Sequence, residues 1–479
     1  MPQPQDFQVI LPLTVLTGWA CALILLDVFL IKHKGITALL AAFGLAVTLG
    51  LTIAQVGQPA LTGFNNMVAL DGFSTFLNAL QLACGLLGIA LAYAYVKRTG
   101  IERGEYYTLL LFSVVGMMLM AQANDLMIVF IALELLSLPL YVLAAFNRSR
   151  ADSEEAGIKY FLLGAFSTGF VLYGIVLVYG ATGSTNLAQI VELASSSISG
   201  LLLTIGAALI LVGFGFKVAA VPFHMWTPDV YQGAPTAVTG FMSSGAKIAG
   251  FAALMRVFSV AFPSLSGHMT DILWGLAALT MIVGNLVAIS QSDIKRMLAY
   301  SSIAHAGYIL MAFVPYGNAE VAPVSIAAGL FYLVAYALTN FGAWAVVISL
   351  EKNDGAGLQI SDYSGLFWKR RGLAIAMTVF MLSLIGFPPT IGMVGKFYLF
   401  RAVIDGGFVG LAIIGVVTSL VSAYYYLRVV VNMYMREGEP VAQSEFWVDL
   451  TWGAAALVTV VVSFVPSWLF VFASTAVMK

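Results

Sequence analysis

Residues 201–232 read LLLTIGAALILVGFGFKVAAVPFHMWTPDVYQ, an apolar run broken by Gly213, Gly215, Pro222 and Pro228, with Lys217 at the interruption. Residues 372–403, GLAIAMTVFMLSLIGFPPTIGMVGKFYLFRAV, repeat the design with Gly386, Pro388, Pro389, Gly392 and Gly395 around Lys396. Crossing about 30 Å of hydrocarbon takes about 20 apolar residues, so both runs are too long and too broken to be simple spans. Proline removes a backbone donor, and irregular backbone at membrane depth survives only where protein or internal water covers it. Paired broken helices are the sequence pattern of a transporter repeat with its site at the breaks. Two unrelated proline kinks are the competing reading, but kinks alone do not explain a lysine at both.

Working outward, apolar runs of spanning length predict helices near 7–31, 36–56, 72–96, 106–123, 125–146, 156–181, 201–232, 235–258, 271–290, 294–314, 321–350, 372–403, 408–435 and 446–473. The broken ones are the seventh and twelfth, and an odd offset makes them cross in opposite directions. The expected fold is an all-α polytopic membrane protein of about fourteen transmembrane helices, with two inverted five-helix repeats and discontinuous helices seven and twelve. One membrane domain covers residues 1–479: helices one to three in 1–100, a first repeat in 105–258, an inverted second repeat in 271–435 and a last helix in 446–473.

Composition agrees. Hydrophobic residues are 61% of the chain and charged residues 9%, against about 25% charged in soluble domains. A net charge of -1 and no basic cluster interleaved with aromatics exclude a nucleic-acid partner. Cys21 and Cys84 lie in separate apolar segments and supply no iron–sulfur or zinc set. Residues 1–8 lack the positive start of a cleavable signal, so the first helix is expected to be retained.

Loop charges set the orientation. The connections after helices one, three, five, nine and eleven carry Lys32 and Lys34; Lys97, Arg98 and Arg103; Arg148 and Arg150; Lys295 and Arg296; and Lys352, Lys369, Arg370 and Arg371. Those after helices two, four, six and ten carry none. The positive-inside rule makes the first set cytoplasmic and both termini periplasmic.

Glu134, Lys217, Lys247 and Lys396 sit within these apolar segments. A charge at bilayer depth costs roughly 3 kcal/mol on insertion scales, so such residues face a packed interior or internal water and carry ions. Burial favours a neutral amine, which lets a lysine exchange protons near neutral pH. A lysine permanently paired with Glu134 that only pins helices is the plainer alternative. Ser243 and Ser244 share a helix face with Lys247 and could hold a water, although serines more often bond their own helix. His305, with Ser301, Ser302 and Tyr308, makes a polar stripe on the tenth helix and can pass protons without a large shift. His224 and Asp229, at the seventh-helix break, could line a cytoplasmic opening or act as caps. Lys159, Glu154 and Glu155, at the cytoplasmic end of the sixth helix, are further intake candidates.

Enzymatic motifs are lacking. The run from Gly240 to Lys247 looks like a phosphate loop, but its lysine is one residue too far along and no strand precedes it. There is no zinc-protease helix, nucleophile elbow or haem-spaced histidine pair. The chain is expected to carry no metal and no redox centre of its own.

Three runs carry a resemblance: VPFHMWTPDVYQGAPT at 221–236, KRMLAYSSIAHAGY at 295–308 and GFPPTIGMVGKF at 386–397. Over residues 105–435 the chain resembles the antiporter-like membrane subunits of respiratory complex I and of multisubunit sodium/proton antiporters. It is most similar to one bacterial branch, because Lys396 stands where a sibling subunit has glutamate, a long C-terminal extension is absent, and the first three helices that mitochondrial counterparts lack are present. The resemblance implies a proton-translocating subunit of NADH:quinone oxidoreductase in the bacterial inner membrane, among lipids and sibling antiporter-like subunits. Flavin, iron–sulfur clusters and quinone then belong to other subunits. It also implies that Glu134 pairs with Lys217, that Lys247 passes the proton inward, and that Lys396 hands it to the outer side. Siblings often carry a histidine on the eleventh helix, where this chain has Tyr332, Tyr336, Thr339 and Asn340. His305 and water are then the expected route between Lys247 and Lys396. A sodium/proton antiporter subunit shares these motifs, and a structural scaffold whose charges only fix packing is the remaining rival.

Overall fold

Backbone groups in hydrocarbon must bond within their own segment, which selects helices for this composition. The computed structural model describes residues 3–29, 34–194, 200–353 and 355–478. Helices α1 (Pro4–Phe29) and α2 (Lys34–Ala54) lead to a small antiparallel hairpin, β1 (Leu61–Gly63) and β2 (Val68–Leu70). Then come α3 (Gly72–Arg98), α4 (Gly104–Gln122), α5 (Leu126–Ala144), α6 (Ala151–Thr182), α7 (Leu187–Ala194), α8 (Gly200–Val218), α9 (Trp226–Gly233) and α10 (Thr236–Ala261). The rest is α11 (Ser266–Ile289), α12 (Ile294–Phe313), α13 (Ala322–Leu350), α14 (Leu366–Lys369), α15 (Arg371–Ile385), α16 (Ile391–Asp405), α17 (Val409–Met435), α18 (Phe446–Phe464) and α19 (Ser467–Thr475).

Twelve of these are long and apolar enough to cross a membrane. The two further predicted spans are α12, diluted by its polar stripe, and the α15–α16 pair, divided at its prolines. The seventh predicted helix is likewise divided, into α8 and α9. Both breaks close alike. Ala219, with φ +63, follows α8 and lets the Ala220 N–H reach the Gly215 carbonyl at 2.8 Å. Gly386, with φ +88, follows α15, and the Phe387 N–H reaches the Leu382 carbonyl at 2.9 Å. This left-handed stop satisfies carbonyls that a helix end leaves free. The last predicted helix also divides, at Pro466, into α18 and α19.

The connections rich in Lys and Arg gather at one end of the bundle. Arg98 donates to the Ile348 carbonyl (2.9 Å), Gln443 (2.8 Å) and Glu445 (3.0 Å), and Arg296 pairs with Asp229 at 2.8 Å. Lys32 lies outside the described residues. Both chain ends gather at the other end: Asp6 accepts from the Phe64 N–H at 2.7 Å, and Gly72 packs on the Thr475 and Ala476 backbone. There Arg256 of α10 holds the Asp71 cap of α3 through two bonds of 2.9 and 2.8 Å. Burial raises the Asp71 carboxyl, but the guanidinium and Ser74 outweigh it and hold it below the usual carboxylate range. Helices α10 and α13 are buried nearly throughout, whereas α1, α6, α17 and α18 turn apolar faces outward.

Candidate functional site

Lys217 is the next-to-last residue of α8 and 5% exposed. Glycines bring its helix against α6, since a Cβ on Gly213 would stand 2.0 Å from the Val171 side chain. The Lys217 Nζ donates to the Ser137 hydroxyl at 2.7 Å and lies 3.5 Å from the Tyr160 hydroxyl. Ser137 in turn donates to the Leu133 carbonyl at 2.5 Å. Glu134 stands one turn before Ser137 on α5, partly exposed, and makes no ion pair with Lys217 within 4.0 Å. Ser137, and not Glu134, holds the direct contact to Lys217. The sequence reading passed over Ser137, although it lies three residues after Glu134 and so on the same helix face.

Gly250 of α10 makes room for the lysine. A Cβ there would stand 3.0 Å from Val218 Cγ1 and 3.3 Å from Lys217 Cγ. Gly250→Val is therefore expected to destabilise the bundle by about 1–3 kcal/mol, the usual cost of overpacking a filled interior. Gly250→Ala should cost less. Thermal melting of the purified assembly checks both, and a Val variant melting like the parent contradicts the close fit.

Lys247, 2% exposed in α10, points at α12. Its Nζ donates to the Ser302 carbonyl and, at 2.6 Å, to the Ser302 hydroxyl, which also accepts from Tyr336 of α13 at 2.8 Å. Ser243 and Ser244 do not attend the lysine. Both accept from the Asn340 side chain, at 2.7 and 2.9 Å.

Three residues past Ser302, His305 sits between two tyrosines: Nδ1 bonds Tyr332 at 2.7 Å and Nε2 bonds Tyr426 at 3.2 Å. A neutral imidazole has one donor and one acceptor, so one tyrosine gives and the other receives. Tyr426 of α17 also bonds Ser301. Tyr332 and Tyr336 of α13 meet His305 and Ser302 from across the helix pair.

Lys396, 3% exposed in α16, ends the row. Its Nζ donates to the Leu384 and Ile385 carbonyls at 3.0 and 2.9 Å and to Ser419 at 2.6 Å, and it lies 4.4 Å from the centre of the Tyr308 ring. The carbonyls are those left free where α15 stops, the negative end of that helix. Gly386 leaves space for the lysine stem, because a Cβ would stand 2.8 Å from Lys396 Cδ. Tyr308 bonds Thr418 at 3.2 Å. Thr418, Ser419, Ser422 and Tyr426 form a polar stripe on α17 that periodicity alone could have revealed.

At the Lys/Arg-rich end, Asp229 binds Lys159 (2.7 Å) and Arg296 (2.8 Å), and Lys159 also binds Glu155 at 2.6 Å. Asp229, Lys159 and Glu155 border a cavity of about 440 Å³ whose lining also includes Arg150, Asp152 and Asp293. His224 stays half-buried in the loop between α8 and α9, apart from the lysine row, and Glu154 is exposed and not in the cavity lining. Among the described residues no group of three or more His, Cys, Asp or Glu side chains is placed to hold a metal.

The family "NADH:quinone oxidoreductase/Mrp antiporter, TM" matches residues 123–422. A protein of Trichlorobacter lovleyi named NADH-quinone oxidoreductase subunit N is 47% identical over 485 residues, covering 99% of this chain and 98% of its own length. The subunit N of Chloroflexus aggregans is 44% identical, covering 98% and 96%. A chain of respiratory complex I from Thermus thermophilus superposes with a TM-score of 0.84 at 37% identity, over 97% of this chain and 99% of that one. The Mrp complex of a Dietzia species shares the fold, with a TM-score of 0.88 at 20% identity over 98% and 97%. With lysines at both helix breaks, a buried hydroxyl and imidazole row between them, and relatives matched end to end, the chain belongs to the NADH:quinone oxidoreductase/Mrp antiporter transmembrane family, alongside the proteins called subunit N.

Proposed function

We propose that this chain translocates protons as a membrane subunit of a bacterial NADH:quinone oxidoreductase, driven by quinone reduction in other subunits that hold the flavin and iron–sulfur clusters. The observation that carries this reading is the buried succession Lys217, Lys247–Ser302–Tyr336, Tyr332–His305–Tyr426 and Tyr308–Lys396. Each member can give or take a proton, and Lys217 and Lys396 stand at helix breaks in opposite halves of the chain. The Lys/Arg-rich end faces the cytoplasm and both termini face the periplasm under the positive-inside rule. Residues 105–258 and 271–435 act as inverted repeats, with sibling antiporter-like subunits and lipid on either side.

Glu134 supplies the coupling. A carboxylate near a lysine favours the ammonium form, and its withdrawal or neutralisation favours proton release. Ser137, bonded to Lys217 and sharing a helix face with Glu134, makes that influence electrostatic and not a matter of one contact. Glu134→Gln should therefore impair pumping more than Glu134→Asp in assembled complexes. Equal, near-normal pumping by the two removes the coupling account. A sodium/proton antiporter subunit is the second reading, favoured by the Mrp fold match. Copurification with flavin and iron–sulfur subunits separates the two.

A further inference from the structure

A buried polar group at the Lys/Arg-rich end plays no part in the row described above. Glu351, immediately after α13, is 2% exposed. One carboxylate oxygen accepts from the Tyr95 hydroxyl at 3.2 Å, and that hydroxyl accepts from the Thr236 N–H at 3.1 Å. The other oxygen, Oε2, has no partner among the described residues, and neither does the buried Tyr363 hydroxyl nearby. Lys295, in the first turn of α12, is equally buried and donates to the Ala234 carbonyl at 2.7 Å. It is near enough to Glu351 for the charges to interact, yet not in an ion pair within 4.0 Å. Buried polar atoms without partners are rare, and a buried carboxylate without full pairing is costly unless it takes up a proton or holds water.

Two further features give this group a position on a route. Outward lies the 440 Å³ cavity, whose lining includes Asp152, Asp293, Asp362 and Gly357. A Cβ on Gly357 would stand 2.3 Å from the Leu350 carbonyl and 3.7 Å from Glu351 Cα, so this cavity-lining glycine packs directly on the backbone that carries Glu351. Inward, Lys295 and Ser302 are seven residues apart on α12, hence on one face and about 10 Å apart along the axis. Ser302 carries Lys247.

We propose that Glu351 and Lys295 form a second proton intake, leading from this cavity to Lys247 through Ser302 and working beside the one at Lys217. The inference rests on the proton-translocating reading. The Glu351 carboxylate takes a proton from cavity water, and the resulting acid gives it to the neutral amine of Lys295. The Lys295 ammonium then passes a proton through bridging water and the Ser302 hydroxyl to the neutral amine of Lys247, which ends as the ammonium. Tyr95 from α3, Lys295 and Asp293 from the start of α12, and Tyr363 are the titratable groups around the carboxylate.

Glu351→Gln, Glu351→Asp and Lys295→Met are compared in assembled, membrane-reconstituted complex, beside Lys217→Ala and Lys247→Met. Glutamine keeps the size and the acceptor for Tyr95 but cannot titrate, whereas aspartate is shorter and can. A packing role would therefore spare Gln, and a proton role would spare Asp. Gln and Met are expected to lower pumping about tenfold, less than the hundredfold or more expected of Lys217→Ala, which loses the group coupled to Glu134 as well as an intake. Asp should retain at least half. Normal pumping by Glu351→Gln, or equal losses in Gln and Asp, overturns the intake while a loss in Lys217→Ala leaves translocation standing. If Glu351→Gln does not assemble, normal pumping by Lys295→Met overturns it. Normal pumping by both Lys217→Ala and Lys247→Met sinks translocation itself.

Discussion

Lys217→Ala is expected to leave assembly intact and to lower proton pumping, with the coupled quinone reduction, by about a hundredfold or more, the usual loss when a positioned proton-transfer group is removed. Among the described residues the lysine tip is held by Ser137 and the Tyr160 ring and hydroxyl, so truncation leaves two hydroxyls that can bond each other or water. The packing of α8 on α6 depends on glycines elsewhere along the helix and should survive. Lys217→Arg makes the sharper companion, because arginine keeps the charge and cannot be deprotonated in a protein. If the site only needs a cation, Arg works; if it must release a proton, Arg fails like Ala. Pumping by Lys217→Ala complexes at the parent rate would remove this residue from the mechanism.

The second large effect is expected at Lys396. Four groups receive its ammonium: the two carbonyls that end α15, Ser419, and the Tyr308 ring. Among the described residues no other lysine or arginine takes part there. Lys396→Ala and Lys396→Met should block proton release and lower turnover by about a hundredfold. Lys396→Glu should retain part of the activity, since a buried carboxyl also titrates, and its protonated form can donate to the carbonyls that the lysine now serves. Equal, near-normal pumping by the Ala, Met and Glu variants would sink the claim that protons leave through this residue. Loss in all three would show instead that the helix end needs a permanent positive group.

The sequence announced the lysines because a charge in an apolar run needs no partner to be noticed. Their neighbours were hidden for the opposite reason. Ser137, Ser302 and Ser419 are small polar residues of a kind common in spanning helices, and only the contacts across α5–α8, α10–α12 and α16–α17 mark them as the groups that receive the lysines. The helix breaks were legible from Pro222 and Pro388, but the way they close was not. Ala219 gives no hint that it adopts a left-handed conformation, which costs such a residue roughly 1–2 kcal/mol, whereas Gly386 does. The short hairpin β1–β2 and helix α7 were also missed, being too brief and too mixed in composition to leave a periodic signal. The resemblance implies direct pairing of Glu134 with Lys217, whereas in three dimensions the lysine bonds Ser137, one turn along the same helix.

The Ser302 hydroxyl sets a condition on the proposed proton route. It accepts from Lys247 and from Tyr336, which fills both lone pairs, so its single hydrogen points away from both donors. A proton that arrives on one side of such an oxygen departs as a different hydrogen on the other, and the O–H is left turned around. No second proton can follow the same way until it rotates back. Ser302, Lys247 and Tyr336 are all sealed from solvent, so that rotation breaks a bond with no bulk water to replace it. On the proposed proton route the hydroxyl has to turn before it can hand a proton to Lys247, so each transfer waits on one rotation of a buried serine.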